Sequence, residues 1–357
     1  MNAALRLLFV PALLALGGCH SLGPATVARD RSDYSSAITE SWKRQTLLNI
    51  VKLRYVDPPI YIDVGQIVAG YQFELYGSVG RRIGLQGADS FADLGANGRY
   101  IDRPTITYTP MTGAKFIAGL ITPLPPSSLF SAVQAGWPAD AMLTVGLISI
   151  NGLRNEHVSA SARNEADPRF RRAVSLMAEL QRSGAVSIRV VPKSAEHGGN
   201  ATLLTFRAHD IDPALAERAA ELRALLGLDP HATEFTLVTG YHAESPTHIA
   251  VQTRSIMHVT QILAVHVEIP DADVAEGRAR PGSTVSKPDR GEGAGIGIRS
   301  STTRPSVAYA AVRYRDRWFW IDDRDLASKH LFSLLMLLFT MTDTSGEGRA
   351  PLLTIST

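Results

Sequence analysis

The chain has 357 residues, 45% of them apolar and 20% charged, and its 36 Lys and Arg against 34 Asp and Glu give a formal charge of +2. Those proportions describe a folding chain and exclude a collagenous, disordered or polytopic membrane protein. The near-neutral balance provides no electrostatic footprint for nucleic acid, and the single cysteine, Cys19, leaves neither an intramolecular disulfide nor a Cys-based zinc or iron–sulfur site.

Residues 1–18 carry the three-part plan of a secretory signal: Arg6, an apolar run from Leu7 to Leu16, then Gly17 and Gly18. The apolar run has about ten residues, too few to cross a hydrocarbon core roughly 30 Å thick as a helix. The tetrapeptide Leu16-Gly17-Gly18-Cys19 resembles the lipobox of bacterial lipoproteins. That resemblance implies diacylation of the Cys19 thiol, cleavage before it and acylation of the new amino group. Three acyl chains exceed the two signals that stable membrane anchoring needs. The alternative is an ordinary signal peptide with a chance cysteine. In such lipoproteins an Asp after the cysteine often marks inner-membrane retention. His20 stands there, which implies the outer membrane, with the body facing the periplasm.

Along the mature chain, residues 20–32 carry Gly, Pro and Ser without apolar periodicity and predict a short tether. A helix is expected from Asp33 or Ser36 to about Tyr55, ended by Asp57-Pro58-Pro59. Its basic residues Lys43, Arg44, Lys52 and Arg54 suit either lipid headgroups or a plain solvated face. Alternation around Tyr71, Phe73 and Leu75 predicts strands between residues 60 and 83. A loop is expected over Gly84–Gly98 and a strand at Thr105–Tyr108. Helices follow at 112–122, 127–136 and 140–153.

In the second half, helices are expected at 169–183, 213–226 and 253–266, and strands at 186–191, 203–208, 235–239 and 249–252. Residues 270–305 read as a mobile insertion, because loops of that length inside a domain are functional or disordered. A hairpin over 307–314 and 318–321 leads into an apolar helix at 324–341, and a last strand is expected at Pro351–Ile355. The fold class is α+β, mostly antiparallel with helices on one side, in two closely packed parts at 33–160 and 161–357.

Chemistry-bearing clusters are few. Asp322, Asp323 and Asp325 offer the oxygen ligands of a hard cation, but Asp at a helix start equally serves as a cap. His258 and His266 do not align on a helix, while His242 and His248 flank a turn and are able to meet. No nucleophile elbow or Ser-x-x-Lys pair occurs, and Gly291–Gly297 lacks the spacing and flanking elements of a phosphate cradle. Trp318 and Trp320 share one side of a strand and Phe319 the other, so one side is expected to pack on helix 324–341 and the other to meet a partner. No catalytic, cofactor or metal residue is assigned; the one site residue is Cys19, for lipidation.

Three segments, 47–64, 136–155 and 318–339, together resemble a family of lipobox-bearing proteins of Gram-negative bacteria that has no assigned activity. The resemblance covers most of the mature chain and implies location alone. The expected function is therefore binding, within an outer-membrane or periplasmic assembly. A periplasmic hydrolase of an envelope polymer and a carrier of small apolar ligands are the alternatives.

Overall fold

In the computed structural model, residues 24–68, 71–82, 91–158, 163–192, 200–207, 212–279 and 296–342 are described. Cys19, the signal segment, Gly291–Gly295 and the strand expected at 351–355 lie outside them. Helix α1 (Pro24–Arg54) opens on a proline, whose missing N–H is harmless in a first turn. The tether expected over 20–32 is thus helical from residue 24. Residues 35–41 are exposed, so no apolar stripe announces this half, and the buried stripe of Leu47, Ile50, Val51 and Tyr55 comes later. The helix closes through Val56, at φ 62, with Val56 N–H on the Leu53 carbonyl (3.1 Å) and Asp57 N–H on that of Lys52 (2.9 Å).

Residues 60–112 form one compact unit of their own. It holds β1 (Ile62–Val68), β2 (Tyr71–Arg82), β3 (Phe91–Asp102) and β4 (Thr105–Pro110). β1 pairs antiparallel with β4, with an irregularity between Val64 and Gln66, and β2 pairs with β3 from Tyr71↔Asp102 to Arg82↔Phe91. The loop expected over 84–98 is therefore strand from residue 91. Its Gly and Ala residues, read alone as loop, are carried by a partner strand rich in aromatic and aliphatic residues.

The other described residues form the second unit. It continues with α2 (Ala114–Ile121), α3 (Pro126–Gln134) and α4 (Ala139–Gly146), then β5 (Leu147–Ile150) and β6 (Leu153–Arg154). The helix expected at 140–153 thus breaks at Gly146. A Cβ there would stand 2.9 Å from the Leu129 methyls, so the close approach of α3 and α4 requires glycine. A small ribbon of β7 (His157–Val158) and β8 (Arg163–Asn164) precedes α5 (Pro168–Arg182). Asp167 caps α5, its carboxylate accepting from Arg169 N–H at 2.8 Å.

Next come β9 (Val186–Pro192), β10 (Asn200–Phe206), α6 (Pro213–Leu226), β11 (Glu234–Thr239) and β12 (His248–Thr253). α6 has the bounds expected for it, because Asp212 caps its start and Gly227, at φ 65, ends it. These strands join β5 and β6 in a six-stranded sheet ordered β6-β5-β12-β11-β10-β9, antiparallel except at β11–β12. β12 is buried on both faces at Ile249, Ala250 and Val251, whereas β10 buries one, at Thr202, Leu204 and Phe206. Phe206 and Phe235 meet edge to face, 5.5 Å between centroids.

α7 (Ile256–Ala264) and α8 (Asp271–Ala275) lead to β13 (Ile298–Ser301), β14 (Ala310–Tyr314), β15 (Arg317–Ile321) and α9 (Leu326–Thr342). β13, β15 and β14 form an antiparallel sheet in that order. The insertion expected over 270–305 therefore contains α8 at one end and a paired strand at the other; residues 280–295 lie outside the described ones. The two parts expected at 33–160 and 161–357 also differ from the observed grouping, because β5 and β6 enter one sheet with β9–β12. The α+β class holds, with mostly antiparallel strands.

Candidate functional site

Arg254 is a lone charge in the apolar run from Ile249 to Val265, and the fold buries it to 2% exposure. β12 ends at Thr253 and Ser255 caps α7, accepting from His258 N–H at 3.2 Å, so Arg254 occupies a fixed corner. Its backbone N–H donates to the Gly146 carbonyl (2.7 Å), and its carbonyl accepts from Leu124 N–H (3.0 Å). The Nη1 group donates to the carbonyls of Thr144 (2.8 Å) and Val145 (3.1 Å), and Nη2 donates to that of Glu156. Asn155, also buried, donates through Nδ2 to Thr144 (2.7 Å) and Leu147 (2.8 Å).

These donors satisfy the carbonyls that α4 leaves open at its C-terminus, the end that favours positive charge. Burial still pulls the Arg254 pKa down to about 10, with the Glu156 charge opposing. Beside the guanidinium lies a cavity of about 20 Å³, lined by residues that include Thr144, Asn155, Glu156 and Val259. That is the volume of about one water molecule.

His258 extends the cluster. Its ring meets that of His157 edge to face at 5.7 Å, and burial, then the Arg254 charge, then His157 lower its pKa to about 4. His258 is therefore a neutral imidazole at pH 7. The site combines a buried cation, a neutral His258 facing His157, and backbone carbonyls around a water-sized space. It ties α4, β12, α7 and the Asn155–His157 segment together.

The residues singled out from the sequence take other roles. Asp322 and Asp325 act as caps, accepting from Arg324 N–H at 3.0 Å and Ser328 N–H at 3.1 Å, and Asp323 pairs with Lys329 at 2.8 Å. Among the described residues no group of three or more His, Cys, Asp or Glu is placed to hold a metal ion. His242 meets the Tyr241 ring edge to face at 4.5 Å, against Gly152, and His248 lies in β12 with its N–H on the Ser245 carbonyl at 2.9 Å. His258 faces His157, a pairing that sequence spacing does not reveal. Gly297 donates its N–H to Ser328 Oγ at 2.8 Å.

Phe319 and Ile321 form the buried side of β15. Phe319 meets Tyr55, just past the end of α1 (6.1 Å), while α9 presents Phe332 to Tyr309 (6.0 Å). Trp318 and Trp320 stay half-buried under Arg304 and Arg299, at 5.5 and 5.4 Å. Lys43 is held by Glu40 at 2.6 Å and lies over the Tyr309 ring at 4.5 Å.

No protein-family model matches the chain, and no curated protein and no solved structure matches it significantly.

Proposed function

We propose that the chain is a lipid-anchored lipoprotein of the outer membrane, facing the periplasm, that acts by binding within an envelope assembly. One observation carries the reading: the single cysteine stands at the last position of Leu16-Gly17-Gly18-Cys19, behind a positive residue and a short apolar run. His20 directs the mature protein to the outer membrane, and the three segments at 47–64, 136–155 and 318–339 ally it with lipobox-bearing proteins of Gram-negative bacteria. Among the described residues no helix is long and apolar enough to cross a membrane, which leaves the acyl chains as a means of attachment without bearing on strands.

Binding is favoured over hydrolysis because the buried polar cluster at Arg254 leaves the volume of one water and spends its Nη donors on backbone carbonyls. A hydrolase needs a cleft where titratable groups converge on a substrate atom. The same volume excludes an apolar ligand from that cavity.

Metabolic labelling with a radiolabelled palmitate tests the anchor: label enters the wild-type protein and not Cys19→Ser. Unlabelled wild type, or labelled Cys19→Ser, overturns it. In-cell crosslinking read by mass spectrometry tests the binding role. A small set of envelope proteins joined to the labelled form supports it; a correctly anchored protein joined to none overturns it.

A further inference from the structure

The sheet β13-β15-β14 has two unlike faces. One is buried through Phe319 and Ile321 of β15 and Val312 of β14. On the other, Trp318 and Trp320 stand two residues apart along β15, about 7 Å. Each has an arginine beside it across the sheet, Arg299 of β13 in register with Trp320 and Arg313 of β14 in register with Trp318. Arg299 also lies over the Trp320 ring at 5.4 Å, and Arg304, from the connection between β13 and β14, lies over Trp318 at 5.5 Å.

Positive charge is concentrated in this stretch of the chain. Residues 298–324 hold six arginines, no lysine and no glutamate against three aspartates, an excess of three positive charges in a chain whose whole formal charge is +2. Arg299 and Arg313 each meet one carboxylate, Asp322 at 3.4 Å and Asp316 at 3.0 Å, and both arginine side chains are more than half exposed. A guanidinium carries five N–H donors, so one such contact leaves most of them open. Exposed Arg304 has no carboxylate partner among the described residues.

A guanidinium laid on an indole is held in a fixed plane, and its fork of donors fits phosphate and carboxylate oxygens two at a time. The arginines lie over the indole rings, which removes the bare ring face that a neutral sugar would stack on. What the face presents is a set of anion-binding forks around two half-buried indoles. Indoles with an apolar body and a wet edge favour the headgroup level of a bilayer, and arginines favour its phosphates.

We propose that this face docks on the anionic phospholipid headgroups of a membrane. Arg299, Arg304 and Arg313 take phosphate oxygens, and Trp318 and Trp320 settle among the headgroups. The proposal deepens the lipid-anchored reading above and rests on it for the membrane. Acyl chains at Cys19 hold the body within reach of the surface, and the arginine–tryptophan face decides which side of the body turns toward it.

The test uses the full-length protein as the cell processes it, reconstituted in vesicles of phosphatidylcholine with or without phosphatidylglycerol, and reads tryptophan emission. With phosphatidylglycerol, doxyl-labelled lipid is expected to quench the emission severalfold more, and aqueous acrylamide severalfold less, than on phosphatidylcholine alone. Raised salt is expected to reverse both. The double variant Trp318→Phe/Trp320→Phe is expected to lose the lipid-quenched part, leaving the emission of Trp42 and Trp137. The triple variant Arg299→Gln/Arg304→Gln/Arg313→Gln is expected to keep its fold, because these side chains are exposed, and to lose the response to phosphatidylglycerol.

Equal quenching on the two lipids, or a triple variant that behaves as wild type, overturns the proposal. Protection of the indoles by inorganic phosphate without vesicles also overturns it, in favour of a soluble anion. The arginine variants decide alone if the tryptophan variants do not fold. Flotation with phosphatidylcholine vesicles reads the anchor separately. A protein that floats with its indoles equally open on both lipids keeps the anchor and loses the docking face. An unacylated protein that floats only with the anionic vesicles, its indoles quenched by lipid, keeps the face and loses the anchor.

Discussion

Tyr55, at the end of α1, donates its hydroxyl hydrogen to Asp273 Oδ2 at 2.5 Å, across 218 residues of sequence. Burial, then the bond to Asp273, holds the phenol well above its ordinary pKa, so it stays a donor at every physiological pH. Tyr55→Phe removes the donor and leaves a carboxylate that had been paired. The expected loss is about 1–2 kcal/mol in urea unfolding; an unchanged midpoint would show that the contact is energetically idle.

Arg254→Met preserves much of the volume but strips the donors from the carbonyls of Thr144, Val145 and Glu156. Buried carbonyls left open cost about 1–3 kcal/mol each, so the variant should lose about 3 kcal/mol or more. Arg254→Lys keeps the charge with a shorter reach and should recover part of that. Thermal melts of the pair decide: equal losses would mean that charge and reach are both irrelevant and packing alone matters.

His258 has a folded pKa of about 4 against about 6.5 in an unfolded chain. Between those values the unfolded state binds a proton that the folded state refuses, so stability rises with pH. It is complete above about pH 6.5 and falls as the pH drops toward 4, by about 1–3 kcal/mol. His258→Gln should flatten this part of the pH–stability curve. A variant curve as steep as that of wild type would assign the acid sensitivity to other groups.

Val56 is 83% exposed and adopts φ 62, a conformation that crowds a β-branched side chain. Val56→Gly should stabilise the protein by about 0.5–1 kcal/mol, the relief of strain exceeding the added freedom of the unfolded chain. A lower melting temperature for Val56→Gly would show that the αL corner carries little strain.

Where a boundary has a local cause, it was legible in the sequence. Asp212-Pro213 and Gly227 delimit α6, and the turn at Arg315-Asp316 delimits the hairpin β14–β15. Where the cause is a distant partner, it was hidden. β3 exists because β2 lies beside its glycines. The chain turns from α4 into β5 where Arg254, more than a hundred residues later, takes the α4 carbonyls. Residues 35–41 of α1 are exposed, so periodicity had nothing to report there. For the buried cluster the one sequence signal was Arg254 itself, a charge within an apolar run; its partners Thr144, Asn155 and His157 give none until the sheet brings β5 beside β12.

The contacts of α1 also set an order of events. Part of the cover over its apolar stripe comes from the far end of the chain: Tyr314 lies 5.5 Å from the Tyr55 ring and bonds Asp57, and Phe319 closes over the same tyrosine. A polypeptide emerging N-terminus first therefore carries Leu47, Ile50 and Val51 without that cover until β14 and β15 have been made. Such long-range closure is slow and leaves apolar surface open to other chains. Yield on overproduction thus depends on how long the nascent α1 waits for its C-terminal partner, and a chaperone that occupies residues 47–55 shortens the exposure.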